Sequence, residues 1–256
     1  TAEESGSGRS LFFNREVNRL RVYELSPRLQ SVADLVPEGA RFADVGTDHA
    51  YLPVWLVLQG KIDRAVVSDL REGPLNRARQ TAAHYEVEEK LSFRLCDGLA
   101  GISPDEADTI SIAGMGGETI AEILTAAPWA GQEGRRLILQ PMTAQEQLRA
   151  WLWDHGFRIQ QEVLTQEGRT VYITLLVVPG EEGPYTPAEA WAGRQHQGMD
   201  APLRGQYLEK LLRRAEAAAA GVVRSSKPED AARAKELEAV AAGLRQMREE
   251  WNAWQL

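Results

Sequence analysis

Between Phe42 and His155, short apolar runs alternate with helical patterns, and this alternation limits the possible folds more than any other feature of the chain. Candidate strands are Phe42–Val45, Ala65–Ser68, Leu91–Leu95, Thr109–Ala113 and Leu137–Leu139. The intervening helices are predicted over Ala50–Gln59, Pro74–Tyr85, Glu118–Ala126 and Ala144–His155. Strand, helix, strand repeats of this length require right-handed crossovers, so the class is α/β with a mostly parallel sheet. One further helix precedes the series. Leu25, Leu29, Val32, Leu35 and Val36 recur at helical spacing, Ser26 is a plausible N-cap, Pro27 suits the first turn, and Pro37–Gly39 ends it. Two extended stretches, Phe157–Leu164 and Val171–Val178, follow with only Thr165–Thr170 between them. That gap is too short for a helical crossover, so the last strand should run antiparallel.

After Pro179 the composition shifts. Gly180–Pro187 reads as a Gly/Pro/Glu linker, and the rest is rich in Ala, Leu, Glu, Arg and Lys without a strand pattern. Leu203, Tyr207, Leu208, Leu211, Leu212 and Ala215 line one helix face. Leu237, Val240, Ala241, Leu244, Met247, Trp251 and Trp254 line another, and Ser226-Lys227-Pro228-Glu229 is a capping box that would start that second helix. The expectation is an antiparallel helical hairpin, with packing accounting for its aromatic stripe better than a binding box. Three regions result: a basic segment over 1–24, an α/β domain over 25–179, and a linker with hairpin over 180–256.

A 256-residue chain with 43% hydrophobic residues can bury a core without staples. Its single cysteine, Cys96, excludes an intrachain disulfide and a cysteine-built zinc site. The longest plainly apolar run, Val54–Leu58, is far shorter than the roughly 20 residues of a membrane span, and Thr1–Ser10 has no signal-peptide pattern. A cytoplasmic protein without a membrane segment is expected. The net charge of -8 argues against a surface that grips nucleic acid everywhere. It leaves room for local basic faces: Arg9, Arg15, Arg19, Arg21 and Arg28 near the start, and Arg204, Lys210, Arg213, Arg214, Arg224, Lys227, Arg233, Lys235, Arg245 and Arg248 along the hairpin. Solvated helix faces are the plain alternative there.

The chemistry concentrates at the predicted carboxyl ends of the strands, where α/β sheets hold ligands. In Asp44-Val45-Gly46-Thr47-Asp48-His49-Ala50-Tyr51-Leu52-Pro53 a buried strand enters a glycine turn and then a helix. Where a dinucleotide fingerprint has its second glycine, this turn has Asp48. A carboxylate there repels a diphosphate and favours a cationic ligand. Asp69, ending the second strand, can accept hydrogen bonds from two ribose hydroxyls, or else cap a helix. Asp97-Gly98 suits an adenine amine, or forms an ordinary turn. In Ala113-Gly114-Met115-Gly116-Gly117 the glycines expose backbone to a flat substrate, or serve a tight strand-to-helix turn. Gln140-Pro141-Met142 would form the neighbouring wall. His49 invites a general-base reading, with a satisfied helix-start histidine equally open. His84, His155 and His196 lie apart, so no metal site is expected.

These strings, in this order, resemble the bacterial tRNA (adenine-22-N1)-methyltransferases. The resemblance runs from Leu25-Ser26-Pro27-Arg28-Leu29 to about Val178, and the hairpin resembles that family's C-terminal coiled coil. It implies a Rossmann-like class I methyltransferase sheet, S-adenosylmethionine as cofactor and tRNA as partner; an oligomer is not implied, and the oligomeric state stays open. On the cofactor side it implies Asp44, Gly46, Thr47, Asp48, Asp69, Leu70, Asp97, Gly98, Ala113, Gly114 and Met115. Arg28, Gly116, Gly117, Pro141 and Met142 fall on the substrate side, with Asp48, His49 and Tyr51 as catalytic candidates. Methylation of another RNA, a non-catalytic cofactor-binding interaction protein and a nicotinamide-dependent oxidoreductase stay open as alternatives.

Overall fold

The computed structural model describes residues 23–223 and 228–255. Its centre is a seven-stranded sheet of order β3-β2-β1-β4-β5-β7-β6. The strands are β1 (Phe42–Val45), β2 (Ala65–Asp69), β3 (Leu91–Leu95), β4 (Thr109–Gly116), β5 (Arg136–Thr143), β6 (Phe157–Glu167) and β7 (Thr170–Pro179). β1 to β5 pair in parallel, while β7 runs antiparallel to both β5 and β6. β7 therefore inserts between β5 and β6, leaving β6 at the edge. The expected antiparallel last strand is present, and its turn is tighter than the six residues allowed for it.

β1 and β2 are buried along their whole length, as strands covered on both faces must be. One face is covered by α1 (Pro27–Leu35), α2 (Tyr51–Leu58) and α3 (Glu72–His84), whose apolar residues pack around Phe42, Leu56 and Ile138. The other is covered by α4 (Gly117–Ala126) and α5 (Gln145–Asp154), with Ile120, Leu124, Leu148 and Leu152 against Ile110, Leu137 and Leu175. Ser26 caps α1 as expected, its hydroxyl accepting from the Leu29 amide.

Beyond Pro179 the linker contains a helix that periodicity did not reveal, α6 (Pro187–Ala192), started by a Thr186/Glu189 capping box. Six residues are too few to display a helical repeat. α7 (Arg204–Val223) and α8 (Pro228–Trp254) follow. Glu209 pairs with Arg248 and Glu216 with Arg245, so position falls on one helix as it rises on the other and the two are antiparallel. Tyr207, Leu211, Leu244 and Trp251 are buried between them, which identifies the aromatic stripe as packing. Arg9, Arg15, Arg19, Arg21, Arg224, Lys227 and the Ser226 end of the capping box lie outside the described residues.

α6 is the joint between sheet and hairpin. Arg149 of α5 is fully buried, forms a bidentate pair with Glu162 of β6 at 2.9 and 3.0 Å, and donates to the carbonyls of Ala190 and Trp191. Arg204 of α7, also buried, donates to the carbonyls of Ala192 and Gly193. Two guanidinium groups thus satisfy the orphan carbonyls at the C-terminal end of α6, where positive charge is favoured. Gly193 is obligatory there: its φ is +74°, and a side chain would collide with the Glu162 carboxylate.

Candidate active site

The order 3-2-1-4 places the topological switch between β1 and β4, because the connections leaving these neighbours turn to opposite faces. Asp44, Asp69, Gly46–Asp48, Asp97-Gly98 and Ala113–Gly116 all lie at or just beyond the carboxyl ends of adjacent parallel strands. The structure brings these separate strings to one crevice.

Asp44 is buried and faces β4, where its register partner Ser111 donates a hydrogen bond to it. Burial pushes its carboxyl up from the usual 3.8 to about 6, against the opposing effects of Ser111, Thr47 and Arg28. Thr47 Oγ1 is buried without a partner in hydrogen-bonding geometry among the described residues, although it lies near enough to Asp44 to hold that carboxyl down. An unpartnered hydroxyl beside a buried carboxylate suits a ligand that brings donors. Gly46 has φ +72°, and a Cβ would strike the terminal methyl of Met115. Gly114 has φ +82° and sits at a register break between β4 and β5, a bulge that ends regular pairing at the crevice.

At the end of β2, Asp69 Oδ1 accepts from the Arg71 amide at 2.9 Å. It does not cap α3, whose N-cap is Arg71 without a side-chain cap bond. Its second oxygen pairs with no group among the described residues, leaving an acceptor for a hydroxyl. Leu70 is 65% exposed, and Leu95, the register partner of Asp69, is exposed too. Two solvent-facing leucines at strand ends supply an apolar surface for a flat base; Leu95 was missed in the sequence because it looks like any strand residue. Asp97 is exposed, and Gly98 has φ +52° with Ile123 only 2.9 Å from where a Cβ would stand.

Three expectations need correction. Asp48 is not a lone carboxylate: Arg77 of α3 pairs with it through two nitrogens, and His49 Nε2 lies 3.7 Å away. Its field is largely neutralised, so the uncompensated negative charge of the turn belongs to buried Asp44. Gly117 does not line a substrate wall. It is buried, and a side chain there would collide with the Ala144 carbonyl, so its smallness serves the packing of α4 on the β5–α5 turn. Pro141 is likewise buried, which leaves Met142, 41% exposed, as the accessible part of that wall. Gly116 is partly exposed, with Thr143 Oγ1 3.1 Å from a Cβ position.

Beside the turn, the rings of His49 and Tyr51 stack at 5.2 Å and 9° between planes. Tyr51 is 43% exposed, and Tyr23, which donates to its carbonyl, braces it edge-on. Cys96 packs against Gly101 rather than presenting a nucleophile. Among the described residues no cluster of His, Cys, Asp and Glu could hold a metal ion, and no helix is long and apolar enough to cross a membrane.

Acidic acceptors at β1 and β2, an exposed apolar ledge and a glycine-opened β4 end on a 3-2-1-4-5-7-6 sheet define a Rossmann-like methyltransferase. Residues 25–175 match the family model described as a methyltransferase domain. A tRNA (adenine(22)-N(1))-methyltransferase of Bacillus subtilis is 39% identical over 158 residues, covering 62% of this chain and 66% of that relative, a little under two thirds of its length. The solved B. subtilis m1A22 tRNA methyltransferase superposes with a TM-score of 0.79 at 30% identity, over 88% of this chain and 99% of that one. A Streptococcus pneumoniae protein solved in complex with S-adenosyl-L-methionine gives 0.72 at 33% identity, over 85% and 100%. The chain belongs to the family of bacterial tRNA (adenine-22-N1)-methyltransferases.

Proposed function

We propose that this protein methylates N1 of an adenine in tRNA, position 22 in the D-arm region, with S-adenosylmethionine as donor. The observation that carries the reading is the crevice itself. Asp44 and Asp69 stand at the ends of β1 and β2, Thr47 Oγ1 is an orphaned buried hydroxyl, and Leu70 and Leu95 form an apolar ledge. These groups fit a ligand with an ammonium, a ribose and an adenine, and nothing in the turn suits a diphosphate. Asp69 would take the ribose, Asp97 and the Gly98 amide the adenine, and Asp44 with Gly46 and Thr47 the methionine end. When bound, the cofactor supplies a methyl group on a sulfonium, which becomes a neutral thioether as the carbon passes to N1.

N1 of neutral adenine has its own lone pair, so no base must remove a proton first. The protein's task is positioning, together with stabilising the positive charge that the base acquires. His49 and Tyr51 offer a stacking platform for an adenine flipped from the RNA, and Met142 and Gly116 close its other side. Asp48 stands next to that platform. Its pair with Arg77 is half exposed, so exchange of partner as charge builds costs little. Asp48→Asn should lower turnover at saturating cofactor; unchanged turnover would remove Asp48 from the mechanism.

The partner is tRNA, held through phosphates by basic positions of the hairpin and of the N-terminal segment. The test is incubation of the intact protein with unmodified tRNA and labelled S-adenosylmethionine, followed by mapping of the modified base. Label at N1 of adenine 22 is the expected result. Label elsewhere in the RNA would move the protein to another target, and absence of label with intact cofactor binding would make it an interaction protein.

A further inference from the structure

The last two strands outrun the sheet they close. β7 pairs with β5 only through Leu175, Leu176 and Val177, opposite Leu139, Ile138 and Leu137, whereas its ladder with β6 continues to Thr170. From Thr174 to Thr170 the two strands therefore form a ribbon of their own, about 13 Å long. The ribbon leaves on the carboxyl side of β5. The Gln140 amide nitrogen donates to Thr174 Oγ1 at 2.9 Å, so Tyr172 and Thr170 lie further along, in the direction of Met142 and Thr143. This is the edge on which the crevice opens.

A free two-stranded hairpin is marginal, and this one is held on both faces. Ser31 Oγ of α1 bonds Thr174 Oγ1 at 2.8 Å, the Glu167 carboxylate accepts from the Arg28 amide at 3.2 Å, and the Tyr172 ring lies 6.0 Å from the Arg28 guanidinium carbon. Arg28 is itself tied to β5, its Nη1 donating to Gln140 Oε1 at 2.7 Å. On the opposite face Leu164 and Val171 pack into the apolar cluster of α6, α7 and α8. The turn is a two-residue loop, Gly168-Arg169, in which Gly168 takes φ +58° and spares Arg169 the left-handed conformation. Gln166 closes it by donating from Nε2 to the Gly168 carbonyl at 3.0 Å. Arg169 is exposed at the end of this braced ribbon and enters no ion pair among the described residues. Two other cations along the same edge are engaged, Arg77 by Asp48 and Arg214 by Glu146.

The helical hairpin overhangs that edge as well. Arg204, at the start of α7, binds the Gly193 carbonyl, and Gly193 abuts Glu162 in the middle of β6. Arg214 then meets Glu146, in the first turn of α5 just past the end of β5. α7 thus rises from mid-sheet to the carboxyl edge and continues to Val223, about 14 Å further. The ribbon tip stands between the crevice and the helical hairpin. An RNA lying along the hairpin with one nucleotide in the crevice passes over it.

We propose that the β6–β7 turn is an RNA contact in which Arg169 holds a phosphate close to the flipped adenosine. This rests on the tRNA reading above. A guanidinium with its donors free grips a phosphate through two parallel hydrogen bonds, and a rigid tip does so without first being ordered. The sequence did not mark this arginine, because Thr165–Thr170 reads there only as a short connection.

The experiment uses the full chain and intact tRNA. Arg169→Gln should raise KM for tRNA about threefold to tenfold, the span from an exposed ion pair to a charge-assisted hydrogen bond. It should reduce the log–log salt slope by roughly 0.7–0.9, while Arg169→Lys keeps most of both and affinity for S-adenosylhomocysteine stays within about twofold. Phosphate-ethylation interference reads the position. Ethylation next to nucleotide 22 should block binding to the unaltered protein, and Arg169→Gln should erase that interference alone. Unchanged KM, slope and interference would leave the turn as solvated surface and overturn the proposal. Loss of interference only at phosphates remote from nucleotide 22 would overturn it too, as would a parallel loss of cofactor affinity, which would make the ribbon a structural part of the crevice. If the unaltered protein neither bound nor labelled tRNA, the tRNA reading would fail and this contact with it; normal labelling indifferent to Arg169 sinks the contact alone.

Discussion

Asp44 couples pH to stability and, in the proposed binding mode, to cofactor affinity. Its folded-state pKa is raised to about 6, so the folded protein holds this proton more tightly than the unfolded chain does. The group therefore favours folding most below its ordinary pKa, and that contribution is lost as pH rises through about 6. The cost at neutral pH is about 3 kcal/mol. Asp44→Asn should accordingly raise the melting temperature of the ligand-free protein at pH 8 and raise it less at pH 5. Affinity for S-adenosylhomocysteine should fall as pH drops below about 6, because the ammonium prefers the ionised carboxylate; calorimetry across pH 5–8 checks both halves. Asp69→Ala should cost about tenfold or more in cofactor affinity, and an unchanged value would end its ribose role. Tyr51→Ala should raise KM for tRNA by roughly 1–3 kcal/mol of forfeited stacking while Tyr51→Phe keeps it, with cofactor affinity untouched in both. At this scale the sequence located Asp44, Asp69, Asp97 and the glycines, because strand ends are legible from apolar runs. It could not show that Arg77 meets Asp48 or that Gln140 meets Arg28, since those partners are 29 and 112 positions apart.

Among the elements, α6 is the one on which the attachment of the hairpin turns. Arg149 is buried with four acceptors, so removing it strands Glu162 and the carbonyls of Ala190 and Trp191. Arg149→Met should destabilise the protein by about 3–5 kcal/mol, read by urea denaturation with tryptophan fluorescence. Trp191, buried on α6, should report the loss as a transition separate from that of the sheet. A loss under about 1 kcal/mol would mean the joint is held by apolar packing alone. The two hairpin helices were legible because each repeats an apolar face over several turns. The joint was not, because one short helix and a buried ion pair leave no periodic trace.

For the molecule as a whole, net charge -8 and the proposed RNA substrate are reconciled by where the basic residues sit. Arg213, Arg214, Arg233, Arg245 and Arg248 each pair with a glutamate, whereas Lys210 and Lys235 enter no ion pair among the described residues. Exposed pairs are worth at most about 1 kcal/mol, so a phosphate can displace the glutamate. Replacing Lys210, Arg213 and Lys235 together by Gln should raise KM for tRNA about tenfold and flatten its salt dependence, by roughly one unit of log–log slope for each phosphate no longer neutralised. Cofactor affinity should not move. An unchanged KM would place the RNA grip elsewhere.

The amino-acid sequence alone determined the class of fold and the ligand edge, because hydrophobic periodicity and turn chemistry are local properties of the chain. Alternating runs required the parallel sheet, the short gap after Leu164 required the antiparallel pair, and acids and glycines at strand ends marked the crevice. Only the tertiary structure decided which charges are free. It neutralised Asp48 with Arg77, raised the pKa of Asp44 by burying its carboxyl despite the Ser111 hydrogen bond, turned Gly117 and Pro141 into packing, and fixed Arg28 over Gly114. Solvation and pairing depend on neighbours distant in sequence, and these decide whether a carboxylate or a guanidinium at the crevice is available to a ligand.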